Sequence, residues 1–260
     1  MVGAVERYLL ERIKSDGTIH LTLIDPEKVT PSQASAIAQK AYAGGTSAIM
    51  VGGSTFVSTK HLDNVVKAIK HMVKLPIILF PNNVTGISRY ADAIWFMSLI
   101  NSVDPYFLIG AQVLGAPLVK RYALEAIPMG YIIVGEGGTA SVVGKAVPIP
   151  YNKPELAIAH ALAGQYLGMR FIYLEAGSGA KKPVPPEMIR KVKSFIDIPL
   201  IVGGGIRSKE QAYNAASAGA NIIVTGNVVE SGNVENKVAE IVEGIRSCRT
   251  CSSDYINTAQ

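Results

Sequence analysis

Eight short, largely apolar runs recur along the chain, at 19–24, 48–51, 77–80, 94–97, 131–134, 171–174, 200–202 and 222–224. They do not alternate apolar with polar, which is how parallel strands covered on both faces read. Stretches with helical spacing separate them: an amphipathic N-terminal one, then 31–43 closing at Gly44-Gly45, 57–73, 106–125, 154–167, 186–195, 208–218 and 234–246. Strand–helix alternation carried through eight strands favours a closed (β/α)8 barrel over an open doubly wound sheet. One repeat is defective. Between the third and fourth runs, PNNVTGISRYAD holds Pro81, Gly86 and several turn residues, and it is too short and too polar for a helix packed on the sheet. The pattern predicts an α/β fold, a modified TIM barrel whose third helix is replaced by a loop or a single turn. It forms one domain over 1–246, followed by a mobile tail over 247–260.

Composition adds bounds. A length of 260 residues suits one such barrel, and 48% hydrophobic against 17% charged residues leaves ample material for a large core. The formal charge of +5 is spread along the chain without a Lys/Arg block, which argues against a nucleic-acid stripe and is compatible with anionic small molecules. The N-terminal stretch VGAVERYLLERIKSDG carries charges throughout and does not read as a secretory signal. The uncharged apolar stretch 105–119 is too short to span a bilayer and holds Gly110, Gly115 and Pro117. A cytoplasmic protein with no transmembrane segment is expected. Cys248 and Cys251 form a CxxC in the polar tail, but one pair cannot complete a four-ligand zinc site, so ordinary thiols are expected.

Candidate chemistry concentrates where strands end. The stretch 199–229 reads strand, Gly203-Gly204-Gly205, helix, strand, Thr225-Gly226-Asn227. Glycine lets backbone N–H groups approach an anion with no Cβ in the way, and a short helix opening at Asn227 would aim its positive end at the same anion. Two such turns after strands 7 and 8 of a barrel are placed as a phosphate site. Asp25 follows the first strand and Ser54 the second. Together they offer hard oxygen ligands suited to Mg²⁺ carried by a phosphate or diphosphate. Glu175 ends the sixth strand and is followed at once by Gly177-Ser178-Gly179, which reads as a base beside a second anion- or hydroxyl-binding turn. Lys181 and Lys182 stand equally well as phosphate contacts or as solvated lysines. The apolar stretch 95–119 is core or interface, and part of it could line a trench for a long hydrocarbon. His20, His61, His71 and His160 lack metal-ligand spacing and read as core or surface histidines. No G-x-S-x-G nucleophile elbow occurs.

The segments HLTLIDPEK (20–28), VGGS (51–54), FPNN (80–83), NSVDPYFLIGAQ (101–112), GYIIVGEGGTA (130–140), YLEAGSGA (173–180), VGGGIRS (202–208) and TGNVVE (225–230) resemble the geranylgeranylglyceryl phosphate synthase family, the archaeal branch of the prenylglyceryl phosphate synthases. The resemblance runs to about residue 246. It implies a barrel lacking its third helix, and transfer of the geranylgeranyl group of geranylgeranyl diphosphate to sn-glycerol 1-phosphate. That reaction forms the first ether bond of archaeal membrane lipid and releases diphosphate.

The resemblance further implies Mg²⁺ at Asp25 and Ser54, and a glycerol phosphate site along Tyr173, Leu174, Glu175, Ala176, Gly177, Ser178 and Gly179. Glu175 and Tyr173 are the implied catalytic pair, and Gly204, Gly205, Gly226 and Asn227 the implied phosphate turns. A homo-oligomer whose product passes to the membrane is implied too. Leu23 stands where a bacterial branch acting on longer chains commonly has Lys. Val142 stands where larger assemblies carry an aromatic residue, which points away from a hexamer. The alternatives are a synthase of other prenyl length, a sugar-phosphate isomerase or aldolase on the same barrel, and a non-enzymatic phosphate-binding scaffold.

Overall fold

Strands that are apolar on both faces can satisfy their backbones and hide their edges by closing on themselves. The computed structural model describes residues 2–53, 58–226 and 233–256, with side chains as far as Cys248. Its sheet is a closed parallel barrel of β1 (Ile19–Ile24), β2 (Ala48–Val51), β3 (Ile77–Leu79), β4 (Ala93–Leu99), β5 (Glu125–Ile133), β6 (Phe171–Glu175), β7 (Leu200–Gly203) and β8 (Ile222–Thr225), with β8 returning to pair with β1. Leu21, Met50, Ile78, Trp95, Met129, Phe171, Ile201 and Val224 pack inside the barrel. Residues of the opposite parity, such as Ile49, Ile132, Leu174 and Val202, face the helices.

Those helices are α1 (Ala4–Asp16), α2 (Pro31–Ala43), α3 (Thr59–Met72), α4 (Ala111–Arg121), α5 (Gly138–Val143), α6 (Pro154–Tyr166), α7 (Pro186–Phe195), α8 (Lys209–Ser217) and α9 (Val234–Ile256). The first one plugs the bottom of the barrel, where Val5 and Leu9 join the interior cluster. Its free N–H groups at Val5 and Glu6 donate to the Glu125 carboxylate at 2.7 and 2.8 Å, a negative charge at a helix start. Glu6, buried, holds the Arg170 guanidinium through two bonds of 2.6 and 2.7 Å. With the N-terminal end stoppered, the open end of the barrel is the C-terminal one. Among the described residues no helix is long and apolar enough to cross a membrane.

Between β3 and β4 the chain makes a single 3-10 turn, Val84–Gly86, and no α-helix, as the broken pattern implies. Two boundaries differ from expectation. The predicted helix over 106–125 is a π-helical turn, Tyr106–Gly110, running into α4, which stops at Arg121. Ala123 takes a left-handed backbone with φ of 54°, and β5 starts directly at Glu125. Pro128 and Gly130 break the apolar pattern and hide the first half of that strand. The short α5 is also absent from the pattern, and α9 runs on to Ile256. Cys248 packs against the core, and its sulfur accepts a hydrogen bond from the Ser217 hydroxyl.

Candidate active site

Strand parity decides which side chains reach the open end. Inward positions on β6 are Phe171, Tyr173 and then Glu175; on β1 the same parity runs Leu21, Leu23, Asp25. Asp25, Tyr173, Glu175, Ser178, Gly179, Gly204, Gly205 and Gly226 line one cavity, about 1590 Å³ of empty space with the open solvent at its mouth included.

Glu175 is the best-defined group in it. It is 7% exposed, and its Oε1 accepts the Gly177 N–H at 2.7 Å while the Tyr173 hydroxyl donates to the same carboxylate. Burial pushes the carboxyl above its ordinary value; the Tyr173 hydroxyl and the Gly177 N–H pull the other way without cancelling it. Tyr173 and Tyr131 are driven well above the usual phenol value, first by burial and then by the Glu175 charge. Phe80 lies edge-on to Tyr131 (5.4 Å between centroids) and stacked on Tyr173 (5.7 Å), so an aromatic wedge fixes both phenols. Gly204 is tied to the same carboxylate. Its φ is +82°, and a Cβ there would overlap Glu175 Oε1 and the Gly177 backbone, so only glycine lets the β7 turn close over β6.

Asp25 caps the 3-10 turn Pro26–Lys28 by accepting the Glu27 N–H at 3.1 Å, which aims its carboxylate across the mouth. The backbone of Gly53 approaches so closely that a Cβ would meet the carboxylate oxygens. Among the described residues no group of three His, Cys, Asp or Glu side chains converges as a metal cage. One carboxylate at the mouth of an anion-binding cavity fits a hard dication that arrives with phosphate oxygens, the usual mode for Mg²⁺. Ser54 and Asn227 lie outside the described residues.

From the mouth the cavity extends sideways as an apolar arm. Phe96, Met97, Phe107, Ile87, Ile94 and Val119 line it, on β4, on α4 and the turn before it, and on the β3–β4 connection that holds no α-helix. Gly115 of α4 faces this arm, and the Gln112 amide of the same helix donates to the Met97 carbonyl, holding α4 on β4.

Several candidates behave otherwise. Leu174 and Ala176 are fully buried against the helix layer, so only their backbones can face a ligand. Gly177 acts by donating to Glu175. Lys181 and Lys182 are exposed and do not line the cavity. All four histidines make internal bonds: His20 with two threonines, His61 with the Pro26 and Val29 carbonyls, and His71 and His160 with the carbonyl four residues earlier. Sequence reasoning missed Phe80 and Tyr131, which the inward parity of β3 and β5 could have flagged. It missed as well Lys28 and Arg207, the two cationic side chains in the lining. The Arg207 guanidinium donates to the Ala180 carbonyl at 2.9 Å, tying the β7 loop to the β6 loop.

The model of the PcrB family matches residues 10–245. The geranylgeranylglyceryl phosphate synthase of Thermofilum pendens is 55% identical over 247 residues, covering 95% of this chain and 96% of that one. Its counterpart in Methanothermobacter thermautotrophicus is 57% identical over 244 residues, with 94% and 99% covered. A crystal structure of (S)-3-O-geranylgeranylglyceryl phosphate synthase from Thermoplasma acidophilum, in complex with substrate sn-glycerol-1-phosphate, superposes with a TM-score of 0.91 at 42% identity over 95% of this chain and 100% of that one. The same barrel, read first from the spacing of apolar runs and then from the broken third repeat, thus recurs in enzymes of one kind, and the chain belongs to the PcrB family, among its geranylgeranylglyceryl phosphate synthases.

Proposed function

We propose that the protein transfers the geranylgeranyl group of geranylgeranyl diphosphate to sn-glycerol 1-phosphate, releasing diphosphate. The observation that carries this reading is one cavity with two unlike ends: glycine turns around a buried carboxylate at the barrel mouth, and an apolar arm along β4, α4 and the helix-less β3–β4 connection. A sugar-phosphate isomerase or aldolase has no use for such an arm.

The backbone turns at Gly204, Gly205 and Gly226 bind the glycerol phosphate and hold its free hydroxyl toward the prenyl C1, replacing a bimolecular encounter with a positioned one. The hydroxyl oxygen bonds to C1 while the bond from C1 to diphosphate oxygen breaks, and the diphosphate leaves with the bonding pair. The hydroxyl proton passes to Glu175, whose burial suits it to accept one. Tyr173 orients that carboxylate, and the aromatic wedge with the apolar arm keeps water from the allylic centre. Asp25, with Ser54, would hold Mg²⁺. When bound, that ion neutralises charge growing on the diphosphate.

The exposed apolar patch of Val103, Val142 and Val147 supports a homo-oligomer, and we place the enzyme in the cytoplasm with its product passing to the membrane. The test is diphosphate release with sn-glycerol 1-phosphate and a ladder of prenyl diphosphates. Turnover greatest with the C20 donor is expected. Turnover without a prenyl donor, or none with any donor, would overturn the proposal.

A further inference from the structure

The layer between the barrel and its helices is apolar almost everywhere, yet His20, Thr22, Thr46 and Thr225 are buried in it together. His20 and Thr22 take the outward positions of β1, and Thr22 lies in register with Thr225, the last residue of β8. The imidazole spans two elements. Its Nδ1 is 3.1 Å from the Thr46 hydroxyl, just before β2, and its Nε2 is 2.8 Å from the Thr225 hydroxyl.

The proton arrangement follows from the neighbours. Thr46 donates to the His20 carbonyl at 3.1 Å and accepts from the Thr22 hydroxyl at 3.1 Å. With its hydrogen directed to the His20 carbonyl or to the Ala48 carbonyl at 3.3 Å, the Thr46 hydroxyl accepts from Nδ1–H, and Nε2 then accepts from the Thr225 hydroxyl. Burial lowers His20 to about 3, so the ring stays neutral and each of its nitrogens keeps one threonine partner. A leucine would fill the space at lower desolvation cost, so packing alone does not account for a histidine here.

What the ring holds is the end of β8. Thr225 faces outward with its side chain, while its backbone and Gly226 line the cavity where the proposed phosphate turn begins. We infer that His20 is a positioning residue that, through the Thr225 hydroxyl, fixes the start of the β8 turn in its anion-binding geometry. This rests on the proposed glycerol phosphate site and adds a residue to it from the far side of the strand. The brace acts on the phosphate end alone, because the apolar arm is built from β4, α4 with the turn before it, and the β3–β4 connection.

The test compares four variants by calorimetric binding of sn-glycerol 1-phosphate and by KM for geranylgeranyl diphosphate, with thermal unfolding of each. Thr225→Val removes the hydroxyl and keeps the shape; Thr225→Ser returns the hydroxyl. His20→Asn reaches Thr46 only, whereas His20→Gln reaches toward Thr225. Thr225→Val and His20→Asn should weaken glycerol phosphate binding about three- to tenfold, the worth of one net hydrogen bond. KM for the prenyl donor should stay within about twofold of wild type, since nothing braced by His20 lines the arm. Thr225→Ser and His20→Gln should restore tight binding even where they unfold at lower temperature. Equal binding by Thr225→Val and Thr225→Ser, or a parallel loss for both substrates, would overturn the inference and leave His20 as packing. The Thr225 pair decides the matter should a His20 variant fail to fold. Wild-type protein that does not bind glycerol phosphate would instead overturn the functional reading, and inorganic phosphate as probe would then carry the same comparison.

Discussion

Replacing Glu175 by glutamine separates proton acceptance from every other role that residue has. The amide keeps the length and can keep both partners, accepting the Gly177 N–H and meeting the Tyr173 hydroxyl, so the β6–β7 turn should hold its shape. It removes a charge that sits in a buried site. A carboxyl raised in the folded state binds protons more tightly there than in the unfolded chain, so its ionisation withdraws stability as pH rises from the ordinary carboxylate value through the folded one. Glu175→Gln should therefore unfold at a higher temperature than wild type at pH 7, with the gap closing as pH falls below the ordinary carboxylate value. The catalytic loss should be about 10²–10⁴ in single-turnover rate, or about 3–5 kcal/mol of barrier. Wild-type turnover should fall on the acid side along a limb displaced upward from an ordinary carboxylate, and the variant should lose that limb. The assay is quenched-flow single turnover across pH, with calorimetric melting alongside. A variant with an unchanged rate and an unchanged acid limb would remove Glu175 as the base; a loss confined to KM for glycerol phosphate would make it an orienting group only.

Asp25→Asn should fold normally and need far more Mg²⁺ for turnover, since an amide is a poor ligand for a hard dication; near-normal turnover at low Mg²⁺ would take Asp25 out of a metal role. The two glycine turns should part company. At Gly226 a new Cβ has no neighbour nearer than Leu23 at 3.5 Å, so Gly226→Ala should fold and raise KM for glycerol phosphate, read from initial rates. Gly204→Ala should also lower kcat and melting temperature, because its Cβ collides with Glu175 and its φ disfavours any side chain. Gly115→Phe should fill the arm beside Ile87 and shift preference toward shorter donors by tenfold or more, at about 0.8 kcal/mol for each methylene denied burial; unchanged selectivity across the donor ladder would place the chain elsewhere.

The barrel is legible in the sequence because strands buried on both faces must be continuously apolar, and the missing helix because Pro81, Gly86 and their polar neighbours cannot pack as one. The start of β5 is not legible: Pro128 precedes the pairing with β6, which begins at Met129, so a residue that lacks an N–H is tolerated there while its carbonyl still accepts the Arg170 N–H. Placing Asp25 and Glu175 at strand ends needs only the strand boundaries. Sorting Tyr173 and Glu175 into the cavity and Leu174 and Ala176 out of it needs the period of two. The roles of Phe80, Tyr131 and Thr225 depend on contacts between strands far apart in the chain, and no local pattern contains them.

The pairing of β1 with β8 has a consequence for how the protein comes into being. Ile19 lies beside Ile222 and Thr22 beside Thr225, so the strand carrying Asp25 meets the strand leading to Gly226 only when nearly the whole chain is available. Pairings this distant in sequence form late and slowly, and a chain emerging from the ribosome holds β1 with one side unsatisfied until the last strand arrives. Every partly made barrel lacks the seam that brings Asp25 and Gly226 to one cavity. A truncated or half-folded copy therefore has no competent pocket with which to sequester either reactant.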